Sequence, residues 1–320
     1  MKLVRALVWV SAVLVLLVNG ASAYVRLAQQ GVGCEPWPQC YGQTAPQDAG
    51  AVPAEDSPHF YVRAMHRLSA SVAGVLFLVI AFFGWNEWGR AGPRAAAVGL
   101  LALSGFLAWI GIHTPSLVPA VTIGNVVAGM ATFALLAWLA AWRPAAGPGP
   151  ELRGRLPGGL AGLATAALAL VVIQITLGAL VNARYADAAC PAWPSCAGTW
   201  WPEGDVAPAF DPFTATTVPI VVAEEGWRQA VHMVHRVGGL VVAALAALVA
   251  AAALRRGARL GGSAALLLAL IGAQLALGAI MIGAGAPLAA AVAHNVISNL
   301  VLGSLAWLHY RVYAAQGEKR

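Results

Sequence analysis

Charge is scarce in this sequence. Only 10% of its 320 residues are Asp, Glu, Lys or Arg, whereas 60% are hydrophobic. Soluble domains carry about 25% charged residues, so this composition excludes an ordinary water-exposed surface. The apolar residues also form long unbroken blocks instead of the short runs that build a soluble core. The sequence therefore predicts an integral membrane protein.

Cysteine is also rare, and its four copies occur in two short motifs. The segments Cys34 to Cys40 and Cys190 to Cys196 both read Cys-x-x-Trp-Pro-x-Cys. No histidine stands at metal-finger spacing from them, which argues against a zinc site. Outward-facing cysteine pairs usually form structural disulfides, so we expect one disulfide in each motif. The alternative is a redox role, which usually needs a low-pKa cysteine beside a basic partner, and none is evident.

Eight apolar blocks are long enough to cross a bilayer, since about 30 Å of hydrocarbon requires about 20 helical residues. We expect spans over residues 6–23, 68–85, 95–112, 118–142, 160–181, 231–254, 264–282 and 288–308. The first block ends in Ala21-Ser22-Ala23, which resembles a signal-peptide cleavage site. Its apolar run is long for a signal peptide, and cleavage would leave seven spans. We therefore expect the first span to be retained.

Basic residues indicate the orientation of these spans. Most of the 19 lysines and arginines lie on one side, together with both termini, and the positive-inside tendency makes that side cytoplasmic. The loops near residues 25–65 and 183–230 then face outward and carry most of the 13 acids. The isoelectric point near 9.5 therefore reflects topology, and nucleic acid is not an expected partner. We expect a multi-pass protein of the inner (plasma) membrane of the cell, in contact with lipid.

An internal repeat divides the chain into two halves. Beyond the cysteine motifs, His66-Arg67 recurs as His235-Arg236, and residues 123–126 align with residues 293–296. Four spans return the chain to the same side of the membrane, so the copies are parallel. The sequence therefore predicts an all-α fold of two tandem related four-helix bundles. Their expected limits are residues 1–147 and 148–320.

Histidines are the clearest candidate ligands in these bundles. His66, His113, His235 and His294 each lie near the outer end of a span. Facing histidines in a bundle core are a usual site for haem, where imidazole binds iron axially. Small residues near His66 and His235 would leave room for a flat macrocycle, although they also allow close helix packing. We predict that His235 and His294 ligate one haem and that His66 is also a haem ligand.

Three further polar residues accompany these histidines. Arg67 and Arg236 either pair with haem propionates or mark the membrane surface, and their repetition favours the propionate role. His232 precedes His235 by three residues and lies on a neighbouring helical face. There we expect a solvated or hydrogen-bonded histidine near the outer surface.

The duplicated halves, the outward cysteine motifs and the two His-Arg pairs together resemble the haem A synthases of cytochrome oxidase assembly. The resemblance covers nearly the whole chain. It implies an enzyme that oxidises a ring methyl of haem O to a formyl group, giving haem A for terminal oxidases. It further implies a b-type haem held by His235 and His294 in the C-terminal half, with His66 facing the substrate haem in the N-terminal half.

The resemblance also implies partners. The reaction involves oxygen and an electron donor that the sequence does not identify. Haem O synthase, oxidase assembly factors and a second copy of the chain are the candidate protein partners.

One departure from the family pattern concerns the expected acid. The family usually has a carboxylate three residues before the first ligand histidine, and this chain has Arg63 there. Glu35, Glu55 and Asp56 are the candidate replacements for acid–base work, because they lie in the same outward loop.

The other departure is Gly124, which stands where the N-terminal half should supply a second histidine. Gly124 is either a packing residue or the cause of an open side on the N-terminal iron. A third interpretation is that His113 replaces the missing ligand.

Three functions follow from these observations. The first is a haem A synthase. The second is a haem-binding membrane protein without this activity, such as a haem carrier, assembly factor or electron-transfer cytochrome. The third is a membrane thiol oxidoreductase that uses the cysteine pairs.

Overall fold

The computed structural model describes residues 2–43, 58–142, 158–196, 198–218, 224–255 and 258–316. Within these ranges eight α-helices are long and apolar enough to span a membrane, which confirms the predicted number of spans. They are α1 (Lys2–Gln29), α2 (Pro58–Trp88), α3 (Ala91–Gly111), α4 (Pro119–Ala141), α5 (Gly158–Ala183), α6 (Glu225–Leu254), α7 (Ala258–Gly283) and α8 (Leu288–Gln316).

Two helices begin well before the predicted spans. Helix α2 begins at Pro58 instead of near residue 68, and α6 begins at Glu225 instead of near residue 231. Polar side chains ended the apolar runs in the sequence, but they do not interrupt backbone hydrogen bonding. Consequently His66 lies about two turns into α2 and His235 about three turns into α6.

Each helix packs against specific neighbours. Among the first four, α1 and α3 both contact α2 and α4, and among the last four, α5 and α7 both contact α6 and α8. Helix α4 also packs against α5 and α8, and α1 packs against α8. The predicted boundary between residues 147 and 148 lies outside the described residues.

Apolar side chains fill the space between these helices in two large clusters. Leu267 and Leu305 belong to one, Leu100 and Leu136 to the other, and all four leucines have no exposed surface. Close approach between helices depends on small residues, as is usual in membranes. At Gly303 of α8, for example, a Cβ atom would lie 2.3 Å from the ring of Phe133. Only glycine lets α4 and α8 approach this closely.

The loops that follow α1 and α5 lie together at one end of the helices, called here the cysteine end. The Tyr41 hydroxyl, next to Cys40, donates a hydrogen bond of 2.5 Å to the Asp187 carboxylate. The Gln30 amide donates to the Asn182 carbonyl over 3.1 Å. These contacts join the ends of two helices that are far apart in sequence.

A single buried arginine organises the rest of the second loop. Arg184, just after α5, has 2% of its surface exposed. Its guanidinium donates to the carbonyls of Pro208, Ala209, Asp211 and Thr214 and to the hydroxyl of Thr216. Residues 208–216 are thereby fixed around one side chain.

Candidate functional site

A cavity of about 500 Å³ lies among α5, α6, α7 and α8 and reaches the cysteine end. Most of its lining is apolar. The polar side chains on it include the histidines His232, His235 and His294, the amides Gln174, Gln274, Asn182 and Asn295, and the charged groups Arg26, Asp187 and Arg236. The predicted partners His235 and His294 are therefore brought together in one cavity.

The two imidazoles face each other at a defined separation. Their ring centroids are 6.5 Å apart and their planes are inclined by 67°. A bond from a metal to an imidazole nitrogen is about 2 Å long, so two imidazoles on opposite sides of one metal have centroids about 6–7 Å apart. The spacing of His235 and His294 therefore suits one metal atom between the rings.

Two glutamines contact these histidines in a similar way. Gln174 Nε2 lies 2.9 Å from His235 Nδ1 and donates to the His235 carbonyl over 2.8 Å. Gln274 Nε2 lies 2.9 Å from His294 Nε2 and donates to the Ser298 hydroxyl over 2.6 Å. These contacts hold both imidazole rings in fixed orientations within the cavity.

The sequence analysis did not single out these glutamines. Their signal was present, because each is a lone amide inside a predicted apolar span, and polar groups there are usually functional. The amide oxygens of Gln174 and Gln274 and the Nδ1 atom of His294 are buried without a hydrogen-bond partner in the described part of the chain. The cavity therefore has hydrogen-bonding capacity that the protein does not use.

Glycines make room for the histidine rings. A Cβ atom at Gly178 would lie 3.0 Å from Cε1 of His235, and one at Gly278 would lie 3.6 Å from Cε1 of His294. The space beside Gly238 is taken by the Gln174 amide, since a Cβ there would lie 2.7 Å from Oε1. The small residues thus admit both a histidine ring and the glutamine that contacts it.

Arg236 donates its hydrogen bonds to the second cysteine loop. Its guanidinium donates to the Ala192 carbonyl over 2.9 Å and to the Cys190 carbonyl. Its Nε atom is buried and has no hydrogen-bond partner in the described ranges. Arg236 therefore fixes the loop over the cavity, and the predicted propionate contact would have to use the remaining N–H groups.

His232 is also a histidine of the cavity. It is 8% exposed, lines the cavity and has a buried Nδ1 atom with no hydrogen-bond partner in the described chain. Burial excludes the solvated setting for His232, whereas a hydrogen bond with the Ala186 backbone agrees with the hydrogen-bonded alternative.

The N-terminal candidates are not gathered in this way. His66 on α2 is part-buried and Arg67 beside it is exposed. His113 lies in the turn after α3, exposed, with its ring 5.4 Å from that of Trp109. No hydrogen bond or ring contact joins His66 to His113 in the described structure.

Gly124 lies at a close contact between α3 and α4. A Cβ atom there would be 2.7 Å from Cδ1 of Ile110 and 3.2 Å from the ring of Phe106. This environment is that of a packing residue, the first of the three interpretations.

Of the predicted catalytic carboxylates, only Glu35 belongs to the described residues, and it does not line the cavity. Glu35 is exposed in the first cysteine loop, and Glu55 and Asp56 lie outside the described residues. Within the described ranges the acid that lines the cavity is Asp187, which the sequence analysis did not single out. Burial raises the pKa of Asp187 above its ordinary value of 3.8, while the hydrogen bond from Tyr41 opposes this shift.

Both cysteine motifs form the predicted disulfides, Cys34–Cys40 and Cys190–Cys196. No cysteine in the described chain is free. Cys190 and Cys196 are each 1% exposed, whereas the first pair is part-buried. The disulfide prediction is confirmed.

These features define a multi-pass membrane protein with a histidine-lined cavity at one end of its helices. The chain belongs to the cytochrome oxidase assembly protein family, whose model matches residues 5–306. Haem A synthase of Shewanella oneidensis is 29% identical over 316 residues, which cover 94% of each chain. That of Rhizorhabdus wittichii is 30% identical over 76% of this chain and 69% of its own. The resemblance noted from the sequence is confirmed.

Proposed function

We propose that this protein is a haem A synthase, which oxidises a ring methyl group of haem O to a formyl group. The observation that carries the proposal is the buried His235–His294 pair, with ring centroids 6.5 Å apart, in a chain of this family. Haem O is then the substrate, haem A the product, and oxygen and an electron donor the co-reactants.

The residues of the cavity fit a b-type haem. His235 and His294, with ring centroids 6.5 Å apart, would hold the iron, and glycines leave the rings room. The apolar walls would exclude water, and the unpartnered polar atoms at the site are consistent with a bound ligand. The haem would supply one-electron transfer. The protein would hold it between α6 and α8, with Gln174 and Gln274 orienting the two imidazoles.

The substrate haem is proposed to bind in the N-terminal half, facing His66. The half-buried position of His66 on α2 supports access by a ligand from outside the helix bundle. Residues 1–147 and 148–320 would form the two related halves, and the cysteine end would face outward across the plasma membrane, as the charge pattern favours.

The decisive experiment is extraction of haems from cells that supply haem O. Cells that express this protein should accumulate haem A, or its hydroxylated precursor, in acid-acetone extracts. The His235→Ala variant should yield neither, and the His113→Ala variant should match the unmodified protein. Extracts that contain only haem B and unchanged haem O would refute the proposed enzyme activity.

A second candidate function is a haem-binding membrane protein without oxygenase activity. It is favoured by the contact of Gly124 with Ile110, which fills the place of a second N-terminal ligand, and by Arg63 at the position of the usual carboxylate. A bis-histidine haem spectrum together with unchanged haem O would select this function. Two buried or part-buried disulfides with no free cysteine in the described ranges give the thiol oxidoreductase less support.

A further inference from the structure

Arg26 belongs to α1, yet it lines the cavity between the last four helices. Its Nε atom donates to Asn182 Oδ1 over 2.8 Å, and its Nη2 atom donates to Asn295 Oδ1 over 3.1 Å. Asn295 directly follows His294 on α8. One side chain thus links the first helix to the neighbour of a candidate iron ligand.

The two asparagines are fixed with their oxygens toward Arg26. The Asn182 amide group donates to Gln30, and that of Asn295 donates to the Ala291 carbonyl over 3.0 Å. A guanidinium has five N–H donors, and these two contacts use two of them. The other N–H groups of Arg26 have no hydrogen-bond partner in the described protein, and the side chain borders the cavity.

The charges at this end of the cavity favour an anionic ligand group. Arg26, Arg236 and Asp187 are the charged residues on the lining. Arg236 already donates to two loop carbonyls, and Asp187 accepts a hydrogen bond from Tyr41. Each arginine thus keeps three N–H groups, but both acceptors of Arg236 belong to the loop backbone, whereas both acceptors of Arg26 are side chains on the cavity lining. Unpaired donors of a guanidinium match a carboxylate in geometry and charge.

The distribution of polarity indicates which ligand would use these donors. The arginines and asparagines cluster at the cysteine end, whereas Val171, Ile271 and Val301 line the cavity further along the same helices. A ligand with an apolar body and carboxylates on one edge fits this pattern. Haem has that form, with its propionates on one edge.

We propose that Arg26 binds a carboxylate of the ligand in this cavity, which is a haem propionate if the proposed function holds. The first helix then completes a site whose two histidines come from the sixth and eighth helices. Asn182 and Asn295 position the guanidinium, and Asp187 lies beside it as the nearby opposite charge.

The test compares haem b with its dimethyl ester, which has no free carboxylate. Full-length protein from haem-deficient cells is titrated with each compound, and binding is followed by the low-spin Soret band. The unmodified protein should prefer haem b by about tenfold, since a charge-assisted pair adds at least that much affinity. Arg26→Gln should weaken haem b binding by a similar factor and leave ester binding nearly unchanged.

Arg90→Gln is the matched control, because Arg90 is exposed between α2 and α3 and does not line the cavity, and it should keep the preference for haem b. If the role of Arg26 were purely structural, Arg26→Gln would weaken the binding of haem b and of its dimethyl ester equally. The ratio of the two affinities would then stay unchanged, which would overturn the proposal. In that case the haem b spectrum of the unmodified protein would still support the proposed function. If neither compound gave a bis-histidine spectrum, the proposed function would fail as well.

Discussion

His235 and His294 of the last four helices face each other across a cavity, whereas no histidine ring contact is present at His66 of α2 in the described residues. The position that corresponds to His294 is Gly124, and Ile110 and Phe106 fill the space beside it. The two sets of four helices therefore differ at a pair of positions that the sequence repeat aligns, with a histidine facing a cavity in one and a packed glycine in the other.

The largest expected effect concerns the histidines themselves. His235→Ala or His294→Ala should abolish the low-spin bis-histidine signal, because each removes one axial ligand. His66→Ala should leave that signal intact, since His66 lies outside the cavity lining. Visible and electron paramagnetic resonance spectra of the purified variants measure the difference.

His113→Ala serves as the control for this set, because the His113 ring is exposed against Trp109. We expect no change in any haem signal. Loss of a low-spin signal in His113→Ala would instead show that His113 replaces the missing N-terminal ligand.

The two disulfides should differ in importance. Replacement of Cys190 and Cys196 by serine should lower the free energy of unfolding by about 2 kcal/mol and reduce haem retention. The backbone of this loop also accepts hydrogen bonds from Arg236, beside His235. Replacement of Cys34 and Cys40 should have a smaller effect on haem retention, because that pair is less buried and has no such contact with α6.

Thermal unfolding in detergent measures the loss of stability, and the haem content after gel filtration measures haem retention. Equal haem loss in the two double variants would contradict the expected difference between the loops. Cycling of either pair between thiol and disulfide during turnover would support a redox role.

A smaller effect is expected at Gly124. Gly124→Ala should cost about 1 kcal/mol of stability, because its Cβ atom would lie 2.7 Å from Ile110 Cδ1 and the side chain must move. Gly105→Ala on α3 is the matched control, since no atom lies within 4 Å of a Cβ there. Midpoints of thermal unfolding for the two variants provide the comparison, and equal midpoints would argue against a packing role for Gly124.

The smallest effect concerns Asp187, which joins the two cysteine loops through Tyr41. Burial raises the pKa of Asp187, so the folded protein binds its proton more tightly than the unfolded chain does. The stability that this provides is present at low pH and is lost as the pH rises through the folded pKa. Asp187→Asn should therefore gain stability relative to the unmodified protein as the pH rises above about 4, the ordinary pKa of an aspartate. A stability difference that does not change with pH would contradict this titration.

The sequence predicted the eight helices because a long apolar segment in a membrane must satisfy its backbone hydrogen bonds internally, as a helix does. It also predicted the His235–His294 pair, since the repeat placed both residues at similar depth. The helix starts were less accurate, because polar residues such as His232 belong to α6 although they lie near the limit of its apolar run.

The contacts around the site could not be predicted in the same way. Arg26 and Asn295 are separated by 269 positions, and Tyr41 and Asp187 by 146. Neither pair belongs to a motif or a periodic pattern. Such contacts depend on which helices become neighbours, and this arrangement follows from packing instead of local sequence.

The contacts of α1 with α8 have a consequence for the biogenesis of the protein. Synthesis proceeds from the N-terminus, so α1 is made long before α8. Asn295 and His294 both lie on α8, and Arg26 contacts Asn295 across the bundle. Until the last helix has inserted, Arg26 has no Asn295 to contact and His235 has no opposing histidine. A ligand that needs both histidines would therefore bind only after α8 has inserted into the membrane.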